Sequence, residues 1–221
     1  MASMKTVEYI PTNARVFIAG KTGTGKSYLA ENYLAKYEYV VKLDTKGEAH
    51  ERRQAGENLW RGLKEGKDFK VIEHLTDLPY VDTKKIIYVP SMDEMTWDTY
   101  DEFFKYIYLR ENTILWIDEL MSITNSPLKV QPWLRGLYTR GRSKNIGVWA
   151  LTQRPSGIPG DTMANSEVFI SFDLRLPADR EKLAKMTGCP EFLTEPSSAA
   201  HPYAFWYFQD DWNEPILAEL S

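Results

Sequence analysis

An apolar, β-rich run, RVFIA at 15–19, passes directly into GKTGTGKS at 20–27, and a helix-forming stretch, YLAENYLAKY, follows. This order of strand, glycine loop and helix restricts the chain to folds in which a strand and a helix meet end to end around a tight backbone curl. The eight residues fit G-x-x-x-x-G-K-[ST], with Gly20, Gly25, Lys26 and Ser27 at the fixed places. The chemistry explains the spacing. Glycines let several backbone N–H groups point at one phosphate chain, and the helix behind them adds its positive N-terminal dipole. Lys26 reaches the β- and γ-phosphates, and the Ser27 hydroxyl takes one position on magnesium. Lys21, Thr22, Gly23 and Thr24 complete the cradle, with Tyr28 next along the helix. The bland alternative is a flexible glycine turn, and the flanking strand and helix argue against it.

The rest of the chain repeats the alternation. YVVKL (39–43), FKVIEHL (69–75), KIIYV (85–89), TILWI (113–117), IGVWAL (146–151), VFISF (168–172) and YAFWYFQ (203–209) read as strands. Residues 91–112 read as a helix with a capping box at Ser91 and Glu94. Its apolar face is Trp97, Tyr100, Phe104, Ile107 and Tyr108. A second amphipathic helix spans 130–140 with Trp133, Leu134, Leu137 and Tyr138 on one side. A third runs from Pro177 to a stop at Gly188. The polar stretch 49–68 reads as helix and loop, and TQRPSGIPG as a turn segment. The pattern predicts an α/β fold with a mostly parallel central sheet covered on both faces. The whole of 1–221 is expected to be one domain, with 1–13 as an N-terminal extension and 188–221 as a C-terminal loop and strand elaboration.

Composition excludes several classes. A hydrophobic fraction of 43% with 13% aromatics is globular rather than disordered. The single cysteine, Cys189, forbids an intramolecular disulfide and suits a reducing compartment. No apolar run approaches the roughly 18 residues of a membrane span, and the first residues lack the apolar core of a secretory signal. His50, His74 and His201 stand apart, without metal-ligand spacing. The net charge is −4, whereas a simple nucleic-acid wrapper is usually basic. Any nucleic-acid contact must then come from a local patch or from assembled subunits.

TILWI ends in Asp118-Glu119. Carboxylates at the C-terminal end of a buried strand face the crevice where open α/β sheets bind ligands. Asp118 can hold Mg2+ directly or through water, and Glu119 can orient and deprotonate an attacking water. GVWALTQRP places Thr152 and Gln153 at the next strand's end. If that strand neighbours the first, Gln153 reaches toward the γ-phosphate and can report its presence. TRGRSKN carries Arg140, Arg142 and Lys144, and an arginine supplied by a neighbouring subunit can neutralise transition-state charge. For each of these arginines a solvated basic turn is the competing reading.

Together these segments resemble the FtsK–HerA branch of P-loop ATPases. The correspondence lies in GKTGTGKS, LDTKGE, ILWIDE, RSKNIGVWALTQRP and ANSEVFISFDLR, across roughly residues 14–187. The resemblance implies a RecA-like P-loop fold of the ASCE type, three layers in α/β/α order, with ATP and Mg2+ as cofactors. It implies Walker A at 20–27, Walker B at Asp118-Glu119 and a catalytic set of Lys26, Glu119, Gln153 and Arg142. Arg142 matches the arginine that opens the family's R…TQRP segment, with Arg175 and Arg180 as secondary candidates. Members are ring-shaped motors on double-stranded DNA. A near-bare motor of this size is similar to the genome-packaging ATPases of internal-membrane icosahedral viruses. The implied partners are double-stranded DNA, further copies of the chain in a ring of five or six, and capsid or portal-vertex proteins. The implied location is the host cytoplasm and a packaging vertex. A plasmid or conjugation-type DNA pump is the alternative within the family. A small-molecule kinase and a slowly hydrolysing scaffold are the alternatives outside it. DNA contact is expected from the MSITNSPLKVQP segment with Lys129, or from Arg52, Arg53, Arg61, Lys64 and Lys67.

Overall fold

The computed structural model describes residues 9–124 and 126–220. Residues 1–8 of the expected N-terminal extension, Asn125 of the MSITNSPLKVQP segment and Ser221 lie outside the described residues. In chain order the elements are β1 (Arg15–Ala19), α1 (Lys26–Leu34), β2 (Val40–Leu43), α2 (Glu48–Gln54), β3 (Phe69–Ile72) and β4 (Lys85–Tyr88). They continue with α3 (Trp97–Arg110), β5 (Ile114–Ile117), α4 (Pro132–Arg140), β6 (Gly147–Thr152), α5 (Gly160–Ala164) and β7 (Val168–Ser171). The last are α6 (Pro177–Thr187), β8 (Ala204–Gln209) and β9 (Ile216–Glu219), with short 3-10 turns in the connections.

The strands form one nine-stranded sheet in the order β3-β4-β2-β5-β6-β1-β7-β8-β9. β1 to β7 are all parallel, and β8 and β9 add antiparallel strands at one edge. The helices divide between the two faces, because side chains alternate across each strand. Val16 and Ile18 of β1 join Leu29, Ala30 and Leu34 of α1 and the indoles of Trp116 and Trp149 on one face. Phe17 and Ala19 join α3, α4 and Leu183 of α6 on the other. The result is the three-layer α/β/α arrangement expected from the alternation. Burial of Leu29 and Leu34 alone holds α1 to the sheet with about 1.5–3 kcal/mol apiece. Among the described residues, no helix is long and apolar enough to cross a membrane.

Three local differences from the sequence reading have physical causes. α3 begins at Trp97, not at 91, and its cap is Thr96, whose hydroxyl oxygen accepts from Thr99 N–H at 3.2 Å. Glu94 is unavailable for a capping box, because its carboxylate accepts from Leu75 N–H at 3.0 Å and Tyr88 Oη–H at 2.8 Å. On α3 it is Phe103, with Tyr100, Phe104 and Ile107, that fills the core, while Trp97 and Tyr108 are half-buried. β9 was not expected. It is short, half-exposed and carries no β-branched run, and it exists by pairing with β8.

The chain before β1 is tied down where it crosses β6. Ile10 is fully buried, and Val148 N–H donates to Ala14 O at 3.0 Å. A Cβ at Gly147 would stand 2.2 Å from Thr12 O, a backbone atom that cannot swing aside. Gly147→Ala is therefore expected to lower stability by about 1–3 kcal/mol, the usual cost of overpacking. Thermal unfolding measures it, and an unchanged melting temperature contradicts this account.

Candidate nucleotide site

β6 lies between β1 and β5 in the sheet, so three strand ends converge: the glycine loop after β1, Gln153 after β6 and Asp118-Glu119 after β5. The loop is held in a curl by its own bonds. Gly20 N–H donates to Thr152 O at 3.2 Å and Lys21 N–H to Asp173 O at 2.7 Å. Thr24 Oγ1 and Lys26 Nζ donate to Lys21 O at 2.8 and 3.0 Å. Gly25 caps α1 in a left-handed conformation, φ 102°, with no side chain satisfying the helix N–H groups. Those first-turn donors, the helix dipole and Lys26 together make an anion site. Burial, reinforced by Lys46, lowers the Lys26 ammonium to about 8, with Glu119 opposing the change. A phosphate chain is the missing counter-charge for such a lysine.

Gln153 does stand beside the loop, as the condition on its strand required. Thr22 Oγ1 donates to Gln153 Oε1 at 2.9 Å. Asp118 is buried, and its Oδ1 accepts from Thr45 N–H at 3.0 Å and Thr45 Oγ1 at 2.9 Å. Burial pushes its carboxyl up to about 6, and Lys42 is the strongest opposing influence. Its Oδ2 has no partner, and neither does Oε1 of buried Glu119. Glu119 Oε2 faces Lys46 Nζ at 3.3 Å. Two buried carboxylate oxygens left unpartnered are costly unless a cation or a water-borne donor completes them. Asp118 Oδ2 with the Ser27 hydroxyl is a donor set of the oxygen-only kind that magnesium takes. A cavity of about 820 Å³ is lined by Thr22, Gly23, Gly25, Lys26, Ser27, Tyr28, Lys46 and Gln153, among others.

The arginines divide differently. Arg142 lies before β6, at the opposite end of the sheet from the cavity, and pairs with Glu167 at 3.3 Å. The six residues of β6 separate it from Gln153 by about 20 Å at the usual rise per residue. It cannot reach the phosphate site of its own chain. Arg140 and Arg175 are exposed. Arg180 is engaged structurally, donating to Leu174 O at 2.6 Å and to Glu195 at 3.1 Å. The basic cluster at 52–67 is largely neutralised within the chain. Arg52 pairs with Glu31 and Glu48, Arg53 with Glu65, and Arg61 lies near Glu31. Lys64, Lys67 and Lys129 remain exposed.

Sequence reasoning passed over Lys46 and the residues around the far wall of the cavity. Lys46 sits inside the quoted DTKGE text, so a signal existed. Tyr203 and Leu220 also line the cavity, and no motif marks either.

No family model matches the chain. It is 26% identical over 172 residues to the DNA packaging ATPase P9 of Enterobacteria phage PRD1, a match covering 76% of this chain and 67% of that protein. Among solved structures it is similar to the genome packaging NTPase B204 of Sulfolobus turreted icosahedral virus 2 in complex with ATP-gammaS. The TM-score is 0.72 at 19% identity, covering 96% of this chain and 100% of that one. VirB4 of Thermoanaerobacter pseudethanolicus gives a TM-score of 0.61 at 13% identity, covering 94% and 89%. These likenesses establish the P-loop NTPase fold, and the similarity to P9 agrees with the FtsK–HerA pattern in the sequence.

Proposed function

We propose that this protein is an ATP-hydrolysing motor that moves double-stranded DNA, acting in the packaging of a viral genome into a capsid. The observation that carries the reading is one cavity lined by Lys26, Gln153 and Lys46, with Lys46 facing the incompletely partnered Glu119 next to Asp118, in a chain similar to a phage packaging ATPase. In this reading the loop N–H groups and Lys26 bind and orient the triphosphate. Asp118 and Ser27 would hold Mg2+, which would neutralise phosphate charge. Glu119 takes the proton from water as the water oxygen bonds to the γ-phosphorus and the bond from that phosphorus to the bridging oxygen breaks, with ADP leaving, and Gln153 registers whether the phosphate is still there. Lys46, 3.3 Å from Glu119, holds the base's carboxylate in place.

Arg142 points to a ring, because its only route to a γ-phosphate is on another copy of the chain. Five or six copies would also gather weak cations such as Lys129 into one polyanion grip, which the net charge of −4 does not offer in a single copy. Such a motor works in the host cytoplasm and docks at a capsid vertex. The test is ATP hydrolysis with and without double-stranded DNA. Stimulation by DNA that fades with added salt is expected. Hydrolysis indifferent to DNA, or phosphate transfer to a small acceptor, overturns the motor and favours a kinase.

A further inference from the structure

We infer that the β8–β9 hairpin builds a base subsite over the phosphate loop, formed by Tyr203, Leu220 and Tyr28, that takes a purine by stacking. The inference rests on the nucleotide reading above and extends it to the substrate's other end.

The hairpin reaches the loop through its register. Ala204 of β8 is paired with Glu219 of β9, so Tyr203 and Leu220 are the next cross-strand neighbours, and Leu220 N–H donates to Tyr203 O at 3.3 Å. Leu220 lies directly on the glycine loop: a Cβ placed on Gly25 would be 2.4 Å from Leu220 Cδ1. Tyr203 N–H donates to His201 Nδ1 at 3.3 Å, which fixes the residue's backbone at the mouth of the strand pair. The segment before the hairpin is also stapled to the loop. Asp173 accepts from Ser197 N–H and Oγ–H, at 3.1 and 2.6 Å, and from Lys21 Nζ at 3.2 Å. On the opposite side, Tyr28 stands in the first turn of α1 with the Arg61 guanidinium 4.7 Å over its ring.

All three side chains line the same cavity as Lys26 and Gln153, and its 820 Å³ is the size of pocket that encloses a small-molecule ligand. Tyr28 and Tyr203 are 37% and 46% exposed, so their flat faces are not consumed by the core. Flat aromatic and apolar walls hold a base by stacking, whose strength grows with the area of the ring system and does not depend on its edge groups. Pyrimidines lose stacking area and bind more weakly.

Calorimetric titration of the full chain with ATP, GTP, CTP and inorganic tripolyphosphate tests this. ATP and GTP are both expected to bind more tightly than CTP. Stacking on an aromatic ring is worth about 1–3 kcal/mol per base, so Tyr203→Ala should weaken ATP about 5- to 150-fold. Tripolyphosphate, which has no base, should bind this variant as before, and Tyr203→Phe should restore ATP. Leu220→Ala should act in the same direction as Tyr203→Ala. The inference is overturned if both alanine variants bind ATP normally, if tripolyphosphate weakens in step with ATP, or if CTP binds as tightly as ATP. Failure of the unaltered protein to bind tripolyphosphate or any nucleotide overturns the nucleotide reading itself, and the base subsite with it.

Discussion

Glu119→Gln is expected to bind ATP as the unaltered protein does and to lose steady-state hydrolysis by roughly 10²- to 10⁴-fold, the usual contribution of a positioned general base. The substitution keeps the side chain's size and removes only its basicity. In the folded protein Glu119 is buried, one oxygen faces Lys46 at 3.3 Å, and the other has no protein partner. That free oxygen is where a water proton would go. An amide there accepts a hydrogen bond but not a proton, so the ground-state complex survives and the chemical step fails. Nucleotide binding measured beside phosphate release separates the two. Turnover equal to that of the unaltered protein removes Glu119 from the mechanism. Loss of binding along with turnover shows instead that the Lys46 contact, broken by neutralising Glu119, shapes the phosphate site.

Arg142→Ala is expected to lower hydrolysis about a thousandfold or more, the scale of an arginine that neutralises phosphoryl-transfer charge. The loss is expected only where copies of the chain act on one another. The residue is two-thirds exposed at the sheet end remote from its own cavity and pairs, among the described residues, with Glu167, so its removal has little to do with folding. Mixing gives the test. An Arg142→Ala copy retains an intact phosphate loop, and a Lys26→Ala copy retains Arg142. Neither alone is active, yet a ring containing both places an intact arginine next to an intact loop. Activity should rise and then fall with mixing ratio. No recovery at any ratio excludes Arg142 as the residue supplied between copies.

The features legible in the sequence were those written in consecutive residues. GKTGTGKS and TILWIDE each place their chemistry within a few residues of a strand end, and the strand's own burial aims it. Gln153 was conditional, because nothing local says that β6 enters the sheet between β1 and β5. That pairing joins residues more than 100 positions apart, Ala19 with Thr152 among them. The same limit hid the base wall. Tyr203 and Leu220 meet only through the antiparallel register of β8 and β9, and a half-exposed strand such as ILAE has too weak an alternation to announce itself. The arginines at 52 and 61 looked like part of a basic patch because their neutraliser, Glu31, lies a helix away and is buried. The capping box at Ser91 failed for a similar reason. Tyr88, on the strand just before, and the more distant backbone N–H of Leu75 claimed Glu94 first.

Glu167 bears on how a finger can be mobile at all. It stands between two guanidiniums, Arg15 at 3.0 Å and Arg142 at 3.3 Å. Arg15 is buried and locked, its other nitrogens donating to Tyr138 O. When Arg142 swings outward, Glu167 keeps its buried companion and is never left as a lone charge. The energy needed to release Arg142 is then that of an exposed ion pair, about 1 kcal/mol or less, well below the cost of stranding a buried carboxylate. A redundant anchor of this sort would let Arg142 leave Glu167 without stranding that carboxylate, as an arginine supplied between copies would have to.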